Sequence, residues 1–184
     1  MDDLPIIVRG TKVVLTPARR EDVPTYWKWI CDPEVNRTLS DIGACVTIEN
    51  EYSWYDDRLA KPSPDLFHVD VHLAEGFRLI GNGELFDINQ MDGTAELGIL
   101  IGEKDCWGHG CGTEAVALIA KYGFDILHLH NIMLRAAAYN TRGLAAYRTV
   151  GFREIGRRRG VDVLERERFD EVLMDLLADE LKMP

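Results

Sequence analysis

The stretch Trp107-Gly108-His109-Gly110-Cys111-Gly112-Thr113 sets three glycines at alternate positions, directly ahead of a run whose apolar residues recur at helical spacing. The beginning of a helix carries backbone N–H groups with no partner inside the helix, and a partial positive charge with them. Glycine has no Cβ, so an anion can approach such a backbone closely. The chemistry that suits this spacing is diphosphate binding; the plainer reading is a glycine-rich connection. The nucleoside-triphosphatase loop is excluded, because no Gly-Lys-Ser or Gly-Lys-Thr triplet occurs in the chain. The dinucleotide fingerprint belongs to the first strand–helix unit, with an acidic residue about 20 positions later, and these alternating glycines follow several strands instead. Cys106, His109 and Cys111 form a Cys-x-x-His-x-Cys pattern, but no fourth ligand stands nearby and the turn is the one the anion needs, so no metal is expected.

The elements that must position this turn can be read from hydrophobic period. Residues 12–15 read as a strand, and a helix after Glu21-Asp22 carries Tyr26, Trp27, Trp29 and Ile30 until Asp32-Pro33 disfavours helical geometry. A second helix runs from near Thr47 through Trp54 and Leu59 to the breaks at Pro62 and Pro64. Over residues 67–73 apolar and polar side chains alternate, which predicts a half-buried strand with His68, Asp70 and His72 on a solvent-facing or substrate-side face. Residues 78–86 and 95–101 read as further strands, and the three together as an antiparallel meander. The period then switches to helical over residues 113–124. A buried strand at 132–138, a helix at 141–149 stopped by Gly151, a strand at 152–157 and a last strand at 172–177 complete the chain. Arg157-Arg158-Arg159 reads as a solvated strand end, and His128 and His130 as loop residues.

Length and composition bound the rest. A chain of 184 residues with 46% hydrophobic residues and 28% charged ones has the make-up of a single folded domain, residues 1–184. The net charge of −10 argues against nucleic-acid binding, which needs a basic excess to displace counter-ions. Acidic character suits attraction of a cationic substrate, and equally suits simple solubility. Cys31, Cys45, Cys106 and Cys111 contain no Cys-x-x-Cys pair, and with no leader segment of secretory type they fit reduced thiols in a cytoplasm. No apolar run approaches the roughly 20 residues of a spanning helix, so no membrane partner is expected.

Gly108-His109-Gly110-Cys111-Gly112-Thr113-Glu114-Ala115 resembles the coenzyme A pyrophosphate loop of the GNAT acetyltransferase superfamily, and Asn140, Tyr147 and Gly151-Phe152 resemble its Asn-x(6)-Tyr-x(3)-Gly-Phe signature. The likeness runs from the strand at 10–15, through Asp32-Pro33-Glu34-Val35, to Phe169-Asp170-Glu171-Val172-Leu173-Met174, and is nearest to the branch of ribosomal-protein N-terminal and spermidine acetyltransferases. Trp107 departs from the Arg or Gln of many relatives, Cys111 from an aromatic, and Thr149-Val150 from Lys-Leu. The resemblance implies an α/β fold whose mixed, mostly antiparallel central sheet has a V-shaped split, with helices on both faces. It implies acetyl-CoA as the donor, no metal, and direct attack by a primary amine of a small molecule or protein N-terminus. The amides of Gly108, Gly110, Gly112 and Thr113 would hold the pyrophosphate within the loop that includes Trp107, His109 and Cys111. Asn140 would position the pantetheine arm. The strand at 97–101, with Leu100 and Ile101, would pair with its amides and offer one N–H to the thioester carbonyl. A homodimer is a further expectation.

Tyr147 would stand beside the sulfur. A phenol of pKa about 10 is a weaker acid than a thiol of about 8.5, so full proton transfer to the thiolate is unfavourable by roughly 2 kcal/mol, and hydrogen bonding alone can serve. The other reading of Tyr147 is a packing residue. A lysine-like amine must lose a proton before it attacks, at a cost on the order of 4–5 kcal/mol at neutral pH. Glu96, Glu84 and Asp87 are the candidate bases, and each also reads as a solvated strand residue. The alternative function is a non-catalytic acyl-CoA-binding sensor of the same fold. The segments at 37–46 and 61–66 would choose the acceptor, and antibiotic, polyamine and protein N-terminus all stay open.

Overall fold

The computed structural model describes residues 4–39, 46–61 and 63–184. One sheet runs in the order β1 (Val8–Arg9), β2 (Val13–Pro17), β3 (Leu66–Leu73), β4 (Leu79–Asn89), β5 (Thr94–Ile101), β6 (Asn131–Ala137), β8 (Glu167–Leu177), β7 (Arg153–Leu164). Its neighbours are antiparallel except β5 and β6, which are parallel and register only from Thr94 opposite Asn131 to Glu96 opposite Met133. Beyond Glu96, β5 stays on β4 as far as Ile101, whereas β6 stays on β8 as far as Ala137. The sheet therefore opens into a V, and part of one edge of β5 is left without a partner strand.

Helices α1 (Val23–Cys31), α2 (Pro33–Asn36), α3 (Ile48–Arg58), α4 (Cys111–Asp125) and α5 (Thr141–Val150) have local reasons to start and stop where they do. Asp32 is extended ahead of Pro33, which ends α1, and its carboxylate accepts from Glu34 N to begin α2. Thr47 caps α3 through Asn50 N, and Gly151, at φ 118, closes α5. Phe67 stacks on Tyr122 at 4.1 Å between ring centroids, which fixes α4 on one face of the sheet. A Cβ on Gly83 would meet Ile119 Cδ1 at 2.5 Å, so the glycine in β4 lets α4 lie close against it. The run Ala115–Ala120 is buried throughout, and each fully buried Leu, Ile or Val there stabilises by roughly 1.5–3 kcal/mol.

The opposite face of β3 differs from its expected half-buried character. Asp70 and His72 are 0% and 2% exposed: Tyr26 of α1 lies against Asp70, and the Phe77 ring stacks on His72 at 4.8 Å between centroids. Tyr26 donates from its hydroxyl to Asp70 Oδ1 at 2.6 Å. Burial pushes the Asp70 carboxyl up to about 8, against the lowering effect of that hydrogen bond. Alternation reported the strand correctly; it carried no information about a helix arriving from elsewhere in the chain.

The C-terminal hairpin is also longer than its apolar residues indicate. Arg157-Arg158-Arg159 lies within β7 rather than at its end, with Arg158 donating to Glu171 across to β8 at 2.9 Å. Past Gly156 cross-strand charge pairs replace burial, so the hydrophobic pattern fades while pairing continues. The turn at Glu165 and Arg166 has φ of 52° and 72°, a geometry usually signalled by Asn-Gly. The strand β1 also escaped the sequence reading. Among the described residues Cys31, Cys106 and Cys111 are free thiols, Cys45 and Pro62 lie outside that set, and no helix is long and apolar enough to cross a membrane.

Candidate active site

The glycine loop follows a short 3-10 turn at Lys104–Cys106 and delivers α4 with its first amides uncapped by any side chain. Gly108 and Gly110 take φ of 77° and 84°, left-handed values that glycine adopts without strain. Glu114 lies in the first turn of α4, where a carboxylate facing the loop would repel an anion, yet it points backward to β2. It accepts from Thr11 N at 2.9 Å, Thr11 Oγ1 at 2.6 Å, Lys12 N at 2.7 Å and Val13 N at 2.8 Å. Burial opposes its ionisation, but the hydrogen bonds from Thr11, Lys12 and Val13 outweigh this and hold its pKa below the usual value. Lys12 Nζ adds a 2.9 Å bond to the His109 carbonyl. The loop is thereby pinned from Thr11 and Lys12, just before β2, about a hundred positions away in sequence.

In front of the loop is a cleft of about 310 Å³ that lies along β5 past its last pairing with β6. Gly108, Gly110, Gly112 and Thr113 line one end, Leu100 and Ile101 a wall, and α5 the rest through Asn140, Arg142 and Tyr147. Trp107 lines it too and donates from its indole N–H to the Ile101 carbonyl at 2.7 Å. His109 is exposed and Cys111 is buried in the core, so their side chains lie outside the cleft although their backbone belongs to the loop. Asn140 uses its side-chain oxygen to accept from Gly143 N at 3.0 Å, capping α5. Tyr147 is 9% exposed, and burial pushes its phenol up to about 12.

A second cleft, of about 900 Å³, lies on the face covered by α1 and α3. Thr38, Ile99, Leu100 and Tyr147 line both clefts, so the two meet where the strands part. Glu84 and Glu96 both line this second cleft, in different company. Glu84 Oε2 is 3.3 Å from His68 Nδ1, with Arg58 at 3.9 Å from its other oxygen. Glu96 accepts from Arg135 Nε at 2.7 Å. Asp87 is exposed at a β4 irregularity with φ of 50° and lines neither cleft. Glu51 of α3 is 5% exposed, burial raises its pKa, and among the described residues its carboxylate has no hydrogen bond or ion pair. Of the segment at 37–46, Thr38, Leu39 and Val46 line this cleft and residues 40–45 lie outside the described set. Sequence reading missed Glu51, Glu114 and Arg142; each is an ordinary helix residue until folding places it.

A split sheet, an uncapped glycine-led helix in the fork and a buried tyrosine joining two clefts are the features of an N-acetyltransferase fold. Residues 12–153 match the family described as the Acetyltransferase (GNAT) domain, and the chain belongs to that family. It is similar to the N-acetyltransferase 9-like protein of Dictyostelium discoideum, at 27% identity over 82% of this chain and 78% of that protein. Similarity to the alpha/beta-tubulin-N-acetyltransferase 9 of Homo sapiens is 27% over 81% of this chain and 76% of that one. The fold is shared with a spermidine N-acetyltransferase from Vibrio cholerae solved with CoA and spermine, at a TM-score of 0.83 and 22% identity over 93% of this chain and 98% of that chain. An acetyltransferase of the GNAT family from Bacillus anthracis superposes with a TM-score of 0.79 at 18% identity, over 94% and 99%. Among the described residues, no group of three or more His, Cys, Asp or Glu is placed to hold a metal ion.

Proposed function

We propose that this chain, acting as one domain, transfers an acetyl group from acetyl-CoA directly to a primary amine, with both substrates bound at once. The observation that carries the reading is Tyr147, which lines both clefts at the mouth of the split. Acetyl-CoA, when bound, supplies an acyl group activated as a thioester. The amides of Gly108, Gly110, Gly112 and Thr113 hold its diphosphate at the start of α4. The unpartnered edge of β5 near Leu100 and Ile101 receives the pantetheine arm beside Asn140, and one N–H there polarises the reacting carbonyl. Tyr147, its phenol raised by burial to about 12, keeps its proton at neutral pH and donates a hydrogen bond to the departing sulfur.

Glu84 is the carboxylate that takes the amine's proton, directly or through water. Glu96 is tied to Arg135, which leaves it less free to accept. A cationic acceptor suits the carboxylates of Glu51 and Glu84, and an amine acceptor agrees with a relative named as a tubulin N-acetyltransferase and a fold neighbour named as a spermidine N-acetyltransferase. The free thiols support a reducing cytoplasm, and a homodimer, checked by light scattering, belongs to the same proposal. Incubation with acetyl-CoA and spermidine, an aminoglycoside or a peptide with a free N-terminus, followed by free thiol, tests the function. Thiol release that depends on one of these amines is the expected result. Coenzyme A binding with no turnover on any amine selects the sensor instead, and absence of binding in titration calorimetry defeats both.

A further inference from the structure

Arg142 is the one charged side chain lining the donor cleft among the described residues. Its guanidinium lies over the Trp107 indole, 3.7 Å from the ring centroid, and that indole is itself anchored by its N–H to the Ile101 carbonyl. A stacked arginine loses little further freedom when it grips a ligand, because its planar fork is already oriented. Among the described residues, the surroundings leave this cation without an acidic partner. Arg20, Arg78, Arg135 and Arg157 each hold a carboxylate at 2.6–2.8 Å. Arg142 has no described carboxylate within ion-pair distance, although acidic residues outnumber basic ones 31 to 21. Desolvation lowers its pKa, and only the more distant charge of Glu34 raises it.

We propose that Arg142, laid flat on Trp107, is the phosphate-binding cation of the donor cleft. Loop amides and a helix terminus supply partial charges only, whereas coenzyme A carries a diphosphate and a 3′-phosphate. A guanidinium fork matches two phosphate oxygens at once and adds the full positive charge that the loop lacks. Trp107 then acts as a platform that aims Arg142, with no polar contact of its own to the ligand. This inference rests on acetyl-CoA being the donor.

Titration calorimetry of the wild type, Arg142→Gln and Arg142→Lys with coenzyme A and with 3′-dephospho-coenzyme A, between 50 and 300 mM salt, tests it. A charge-assisted bond contributes about 1.5–3 kcal/mol, so Arg142→Gln is expected to weaken coenzyme A binding roughly 10- to 100-fold. Its affinity should also depend less on salt, and Arg142→Lys should fall between. A loss that persists with the dephospho compound assigns the diphosphate; one that vanishes assigns the 3′-phosphate. Either supports the proposal. A change below about threefold overturns it, as does a larger loss with an unaltered salt dependence, which is the signature of packing rather than charge. If wild-type protein binds neither compound, the donor assignment itself fails.

Discussion

Arg135 on β6 donates to Glu96 on β5 at 2.7 Å, two residues past Met133, where these parallel strands last register. The pair closes the apex of the V, and the proposed reaction accordingly takes Glu84 as its base and leaves Glu96 as a structural clamp. Glu84→Gln is expected to lower kcat about 10²- to 10⁴-fold with coenzyme A affinity unchanged. Glu96→Gln should cost less than tenfold in kcat but lower Tm by several degrees. Steady-state thiol release and a thermal melt on both variants check this, and a larger kcat loss in Glu96→Gln reverses the assignment.

Tyr147→Phe removes one hydroxyl from a residue that is 9% exposed and packs edge-on to Phe152 at 6.1 Å. The expected result is a kcat at least tenfold lower, with coenzyme A affinity within twofold. Because burial raises the phenol to about 12, the wild-type rate should show no loss from Tyr147 ionisation up to pH 10. An alkaline limb below pH 10 that disappears in the Phe variant contradicts the hydrogen-bond donor role.

Asp70 gives the fold a pH dependence of definite sign. Its carboxyl is pushed up to about 8 in the fold by burial, against an unfolded value near 4. The native state therefore holds a proton that the unfolded chain has released between those values, and stability falls as pH rises from about 4 to about 8. Asp70→Asn keeps an acceptor for Tyr26 and removes the titration. The stability of the wild type relative to Asp70→Asn should decline by on the order of a few kcal/mol between pH 5 and 8. Urea unfolding at each pH measures it, and a flat difference is the contrary result.

Glu51→Gln tests acceptor recognition. With its buried carboxylate facing the acceptor cleft, the neutral variant should raise KM for a cationic amine about tenfold and leave kcat within threefold. Kinetics on a diamine and on an uncharged-tail amine of equal length separate the effects. Equal KM changes for both amines would point to packing.

Gly110→Ala places a Cβ where φ is 84°, 2.7 Å from Lys12 Nζ. The lysine tip can move, but the left-handed backbone costs roughly 1–2 kcal/mol. The expected outcome is a lower Tm and weaker coenzyme A binding, measured together in the same preparation. Unchanged binding would remove Gly110 from the donor site.

Local signals made much of the molecule legible. The glycine loop, the helix after it, and Asn140, Tyr147 and Gly151 on α5 lie where short-range spacing places them, because caps and left-handed turns are decided within a few residues. The residues that escaped reading depend on distant partners. Glu114 finds Thr11 across 103 positions, and Arg142 finds Trp107 only when α5 docks beside the loop.

By itself, then, the sequence determined most of the order of elements, the glycine turn ahead of α4 and the family, since periodicity and backbone preference are local properties of the chain. The tertiary structure alone decided that Asp70 is buried, that Glu84 and Glu96 line one cleft with Glu96 tied to Arg135, and that Arg142 lines the other. A side chain's burial, charge state and partners are set by what packs against it from far along the chain, and no spacing along the chain encodes that neighbour.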